Sequence, residues 1–198
     1  MSKFNIKEKI AEMFLKDAGN YLKRYDILCQ DSLNDDCIGM RCKLFVELLL
    51  AAECCIKGMI ALESTDNENI TYDKVFDCNL NELLNMLNVY SPIEKNNCVN
   101  YIDHKLLDYS IDIRYTLEAR KQFRPDGPLS KEYYDIIVNF NWCKSVHGSL
   151  KELSEYIKSK LPTKSKPIDS IENNVIEGLE NLEEWEVLKN IGKHKGMK

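Results

Sequence analysis

Residues Val46–Leu62, VELLLAAECCIKGMIAL, are apolar almost all the way round a helix, yet they carry Glu53 and Lys57 four positions apart. At about 100° per residue, Leu44, Leu48, Ala51, Cys55 and Met59 form one apolar stripe. Val46, Leu49, Leu50, Ile56 and Ile60 cover much of the other side. A helix apolar on every side belongs in the interior of a bundle. Charges on such a helix must be paired, or must serve a partner. Glu47, Glu53 and Lys57 also keep the run short of the ~20 apolar residues that a membrane span needs. No membrane association is therefore expected, and without a signal peptide the expected compartment is the cytoplasm.

Composition narrows the class further. Gly (8) and Pro (5) are scarce and stand at element boundaries, which favours helices over short strands joined by turns. The net charge of −5 excludes a general electrostatic grip on nucleic acid and leaves room only for a local basic patch. The eight cysteines include no Cys-x-x-Cys pair and no histidine at zinc spacing. Cys54, Cys55 and Cys143 fall in apolar helical patterns, where a thiol packs as a small hydrophobe. Reduced core thiols are expected, with no metal and no cofactor.

The periodicity predicts a first helix over Ile6–Leu28, with Ile10, Phe14, Ala18, Tyr21, Tyr25 and Leu28 on one face. A loop at Asp31–Asp36 leads to the buried helix, Ile38–Glu63. Ser64–Thr71 reads as a second loop, and Asn79–Asn88 as a short helix. Ser91-Pro92 predicts a cap and start for a long helix running to about Phe123. Its stripe is Val99, Ile102, Leu106, Tyr109, Ile113 and Leu117. The breakers Arg124–Pro128 end it. Ser130 is the predicted cap of a further helix carrying Ile136 to Leu161. The division is a helical bundle over 1–161, a linker over 162–168 (PTKSKP at its heart), and an acidic helix with a basic tail over 169–198. The predicted fold is all-α, an up-and-down bundle of four to five long helices with an additional C-terminal helix.

Three segments, in order, resemble the HEPN domain family. Leu50–Leu62 is similar to its second core helix, with an acidic residue four positions before a lysine. Phe76–Leu87, FDCNLNELLNML, resembles its "His-Asp-Leu…Leu-Leu" segment, with Cys78 in place of His and Asn79 in place of Asp. Asp112–Asp126, DIRYTLEARKQFRPD, resembles its Tyr-x-x-Ala-Arg-Tyr-Pro-Asp end, with Ala119-Arg120 and Pro125-Asp126 matching across an insertion. The resemblance implies an up-and-down bundle, a homodimer, and one of two roles. Some members are metal-independent ribonucleases marked by Arg-x(4–6)-His. Others bind nucleotide, RNA or protein partners, beside nucleotidyltransferases or in toxin–antitoxin and defence systems. No arginine stands at that spacing before His104, His147 or His194. The expectation is a binding module without the nuclease motif. The alternatives are a divergent ribonuclease using His147 with Arg114 or Arg120, and a structural dimerisation subunit.

The candidate site follows from the same helices. On an ideal helix, Arg120 and Arg124 continue the stripe of Leu106, Ile113 and Leu117, and a guanidinium on a core face needs a carboxylate or a phosphate. Two readings stand side by side. One is an internal Arg120–Glu53 ion pair that sets helix register. The other is an anion site formed by Arg114, Arg120, Lys121 and Arg124, facing the helix of Glu53 and Lys57. Glu53 and Lys57 are themselves in the favourable i,i+4 order. His147 reads as a hydrogen-bonded core or groove histidine, with general-base chemistry as its alternative. Trp142, Tyr133 and Tyr134 suit either a core or a base-stacking surface. Asp103 and Asp108 do not share a face that would pair them for catalysis or metal binding.

Overall fold

The computed structural model describes residues 5–31, 38–75, 78–123, 131, 133–162, 185–186 and 189. Among them there are helices and no strand. The fold is an all-α bundle. Its elements are α1 (Ile6–Asp31), α2 (Ile38–Glu63), α3 (Glu68–Val75), α4 (Leu80–Tyr90), α5 (Pro92–Val99), 3₁₀ turns at His104–Asp108 and Ile111–Arg114, α6 (Thr116–Phe123), a π-helical turn at Tyr133–Ile137, and α7 (Phe140–Lys158). No described helix is long and apolar enough to cross a membrane.

Helix α2 is the axis of this arrangement. Residues from every side of it are buried, including Leu44, Phe45, Leu48, Ala51, Ala52, Cys55, Ile56, Met59 and Ile60. It meets α1, α3, α4, α6 and α7. Helix α1 runs antiparallel to it. Arg24 pairs with Glu47, Gly58 lies against Ala11, Phe14 and Leu15, and Lys7 donates to the Ser64 carbonyl. Helix α7 is antiparallel to α1, since His147 and Lys151 meet Leu22 and Asp26 while Leu161 packs near Ile10 and Ala11. It is therefore parallel to α2.

The chain between 92 and 123 returns along α2 in the opposite sense. Cys98 lies near Glu63 and Cys55, Tyr109 packs edge-on to Phe45, and Thr116 abuts Gly39. This is the up-and-down order, but the third helix is not the single long one that periodicity predicts. It is cut into α5, two 3₁₀ turns and α6. Asp103 and Ser110 make the cuts, their side chains accepting from the Lys105 and Asp112 backbone N–H groups. Asp and Ser offer the backbone this local alternative to a helical ladder. Long helices consequently number three among the described elements, α1, α2 and α7, rather than four to five.

The break also shifts the phase. Ile102, Leu106, Tyr109 and Ile113 are buried as predicted, but Leu117 is 65% exposed, and Ala119 and Phe123 face the core in its place. Other boundaries differ for similar local reasons. Asn67 Oδ1 accepts from the Ile70 N–H at the start of α3, inside the predicted loop. Asn79 and Glu82 form a reciprocal capping box that starts α4. The Ser91 hydroxyl makes no capping bond, although Pro92 does stand in the first turn of α5. Asn139 caps α7 through the Trp142 N–H, so the last bundle helix begins at Phe140. The expected Ser130 cap, the Arg124–Pro128 breaker and the C-terminal helix lie outside the described residues, apart from Trp185, Glu186 and Lys189.

The phase shift is directly measurable. Leu106→Ala removes a fully buried side chain and should cost about 2–5 kcal/mol. Leu117→Ala should change stability by less than about 0.5 kcal/mol, as a surface substitution does. Urea unfolding of the two variants checks the difference, and equal losses would restore the continuous helix.

Candidate functional site

Glu53 and Lys57 come together as the i,i+4 spacing requires, with Lys57 Nζ 2.6 Å from Glu53 Oε1. The two ends of the pair differ in solvation. Lys57 is buried, with 7% of its surface exposed, whereas Glu53 keeps partial access to water. The arrangement is that of a cation carried into the bundle on α2 together with its own counter-ion. Arg120 is not the partner of Glu53. It is exposed on α6, as is Lys121, because the break near Tyr115 turns them off the core face. The expected Arg120–Glu53 register pair is thereby corrected, and among the described residues Arg120 forms no ion pair.

The corner where the second 3₁₀ turn meets α6 instead carries a mixed cationic and apolar surface. Arg114 is exposed, lies 4.8 Å from the Tyr115 ring centroid, and donates from Nη2 to the Tyr115 hydroxyl at 2.8 Å. Tyr115 is 54% exposed and Leu117 is exposed beside it in sequence. Lys121 is held by Glu118 at 2.7 Å, which partly neutralises it. The geometry therefore brings Arg114, Tyr115 and Arg120 onto one short solvent-facing segment. It leaves Glu53 and Lys57 in the bundle, and Arg124 lies outside the described residues. Tyr115 was missed by sequence reasoning, which assigned no role to the one residue of this corner able to stack. Its position next to Arg114 was the available signal.

His147 projects from α7 onto α1. Its Nε2 lies 3.4 Å from the Leu22 carbonyl oxygen and 3.3 Å from Asp26 Oδ1, and its ring stacks on Tyr25 at 4.8 Å. Burial pushes its pKa below the ordinary histidine value, against the pull of Asp26, and the nearby Lys151 adds to the lowering. This is the core or groove histidine of the first reading. Among the described contacts neither Arg114 nor Arg120 is bonded to it, so the His–Arg pairing of the alternative reading does not form within the described residues.

The aromatic candidates resolve into packing. The Trp142 indole N–H donates to Asp103 Oδ2 at 2.8 Å, and its ring stacks on Phe45. Phe45 in turn meets Tyr109, Tyr109 meets Phe123, and Phe123 meets Tyr133. This row pins the broken segment to α2 and α7. Tyr134 remains exposed next to it. At the far end, Tyr156 donates to Glu94, which also pairs with Lys160 at 2.7 Å and so closes α5 on α7. The seven described cysteines are free. Burial pushes Cys54, Cys98 and Cys143 up to about 12, so they remain thiols. No group of three or more metal-ligating side chains gathers among the described residues. Comparison with protein-family models, curated proteins and solved structures finds no match.

Breaking the buried pair should reveal its asymmetry. An exposed i,i+4 pair contributes about 0.3–0.5 kcal/mol, whereas removing one partner of a fully buried pair costs about 3–5 kcal/mol. With its carboxylate still partly hydrated, the pair falls between these limits. Glu53→Gln should cost on the order of 2 kcal/mol by taking the carboxylate charge away from the buried Lys57 ammonium. Adding Lys57→Met should recover part of the loss. A double variant no more stable than Glu53→Gln in chemical denaturation would contradict this account.

Proposed function

We propose that this chain is a non-catalytic binding module of the HEPN type, whose ligand is an anionic nucleotide or RNA strand met at the Arg114–Lys121 corner. One observation carries the reading. Arg114, Tyr115 and Arg120 face solvent on one short segment, although the periodicity would have buried Arg120. Two guanidiniums that pair with no carboxylate among the described residues offer planar donors to phosphate. An exposed tyrosine, already oriented by Arg114, offers a ring face to a base. The buried Glu53–Lys57 helix, the capped α4 and the antiparallel return along α2 agree with the bundle that the resemblance implies. His147 supports no competing nuclease reading, because its imidazole is enclosed between helices and its bonds go to α1.

The negative charge of the whole chain makes binding depend on this local patch, and therefore on salt. The test is fluorescence anisotropy with a short single-stranded RNA, alongside calorimetry with ATP and GTP. Binding to at least one probe is expected. Arg114→Ala and Arg120→Ala should each weaken it by about tenfold or more, the usual scale of a lost charge-assisted contact. The double variant should also flatten the salt dependence. Failure of every probe to bind, or binding indifferent to both substitutions, would overturn the assignment.

A further inference from the structure

The α1–α7 seam holds a titratable group that the proposed binding surface does not use. His147 is 7% exposed. Its single Nε2 faces two acceptors from α1, the Leu22 carbonyl and the Asp26 carboxylate. Tyr25 covers one face of the ring. Asp26 is simultaneously claimed by Lys151 of α7, whose Nζ is 3.3 Å from Oδ2. Thus the anion that faces the ring among the described residues is already shared with an ammonium one helical turn away. Seen from the seam, the charged and titratable neighbours are Tyr25 and Asp26 from α1 and Lys151 from α7. Cys29 and Cys143 lie beside Tyr25, and α2 brings Arg41 near those two thiols.

We propose that His147 is an acid-sensitive latch between α1 and α7, closing the seam as a neutral imidazole and loosening it when protonated. Neutral imidazole can donate one N–H toward Leu22 or Asp26 and leaves the Asp26–Lys151 pair undisturbed. A second proton puts a cation on a buried ring beside the Lys151 ammonium, while Asp26 and Lys151 themselves stay about half exposed to water. The cation regains water only if α7 moves off α1.

The sign follows from linkage. The folded-state pKa lies below the unfolded value of about 6.5, so above that pH both states are neutral and the latch costs nothing. As pH falls below about 6.5, the open state takes up a proton that the closed state refuses, and closure weakens until the folded value is passed. Each unit of depression multiplies the opening constant by about ten in acid. Tyr25, Cys29 and Cys143 are shifted upward by burial and stay neutral throughout this range.

Hydrogen exchange on the intact chain tests the latch, read as protection factors between pH 8 and 5 for peptides from Leu15–Cys29 and Phe140–Leu153. Protection in both should hold above pH 7 and fall several-fold toward pH 5. His147→Gln keeps a donor near Nε2 and should flatten the response. Lys151→Met removes the competing ammonium and should shrink it, whereas Asp26→Asn removes the compensating carboxylate and should enlarge it. If His147→Gln does not fold, the wild-type imidazole titration by NMR with labelled histidine decides. A His147 midpoint at or above 6.5, or an acid loss unchanged in the folded Gln or Met variants, would overturn the proposal.

Discussion

Enclosing α2 on every side is the constraint from which the other features follow. A helix with apolar residues over its whole circumference is stable in water only when neighbours cover all of it. Helices α1 and α7 supply part of that cover, and α3, α4 and the segment from Ile111 to Phe123 supply much of the rest. The demand is strong enough to recruit a segment that does not form one helix. Ile102, Leu106, Tyr109 and Ile113 reach the core from 3₁₀ turns and extended links as effectively as from a continuous helix. Burial selects which side chains point inward, and the backbone adopts whatever local form its own polar side chains allow.

That division of labour explains the surface as well as the core. Two short caps, Asp103 and Ser110, cost the segment its helical continuity, and the resulting slip moves Leu117 and Arg120 outward while Ala119 and Phe123 move in. Asp103 does more than interrupt. Its second carboxylate oxygen takes the Trp142 indole N–H, so the residue that breaks the helix also ties the break to α7. The exposed Arg114–Tyr115–Arg120 corner is thus held by a cap, an aromatic row and the close approach of Thr116 to Gly39.

The central helix, the α1 stripe and the Glu53–Lys57 pair were legible because each depends on repeating spacing within one uninterrupted helix. In α1, Ile10, Ala18 and Tyr25 are buried and Phe14, Tyr21 and Leu28 pack at its margin, close to the predicted face. The return segment was not legible in the same way. Its apolar spacing of three and four is helical, but Asp103, Ser110 and their neighbours decide the backbone through bonds that periodicity does not count. Arg120 was misplaced for this reason alone. Extrapolating a stripe across Tyr115 carries the phase of one element into another, and every residue beyond the break inherits the error. The short helix predicted from Asn79 does form, and the Asn79-x-x-Glu82 box sets where α4 begins.

The charges of this chain sort by how their solvation is replaced. Lys57 is carried into the bundle beside Glu53, so its partner is guaranteed by the helix that buries it. His147 reaches the interior from α7 but depends on acceptors belonging to α1, and one of those is shared with Lys151. Arg114 and Arg120 remain in water, where a guanidinium needs no internal compensation. The first arrangement lies within one helix and does not depend on how α2 packs against its neighbours. The second can change with the protonation of one ring, because its two halves lie on separate helices. The third stands at the surface, outside the packing of the bundle. A buried charge whose partner is local therefore reads as structure, whereas one whose partner lies across a seam couples ionisation to helix packing.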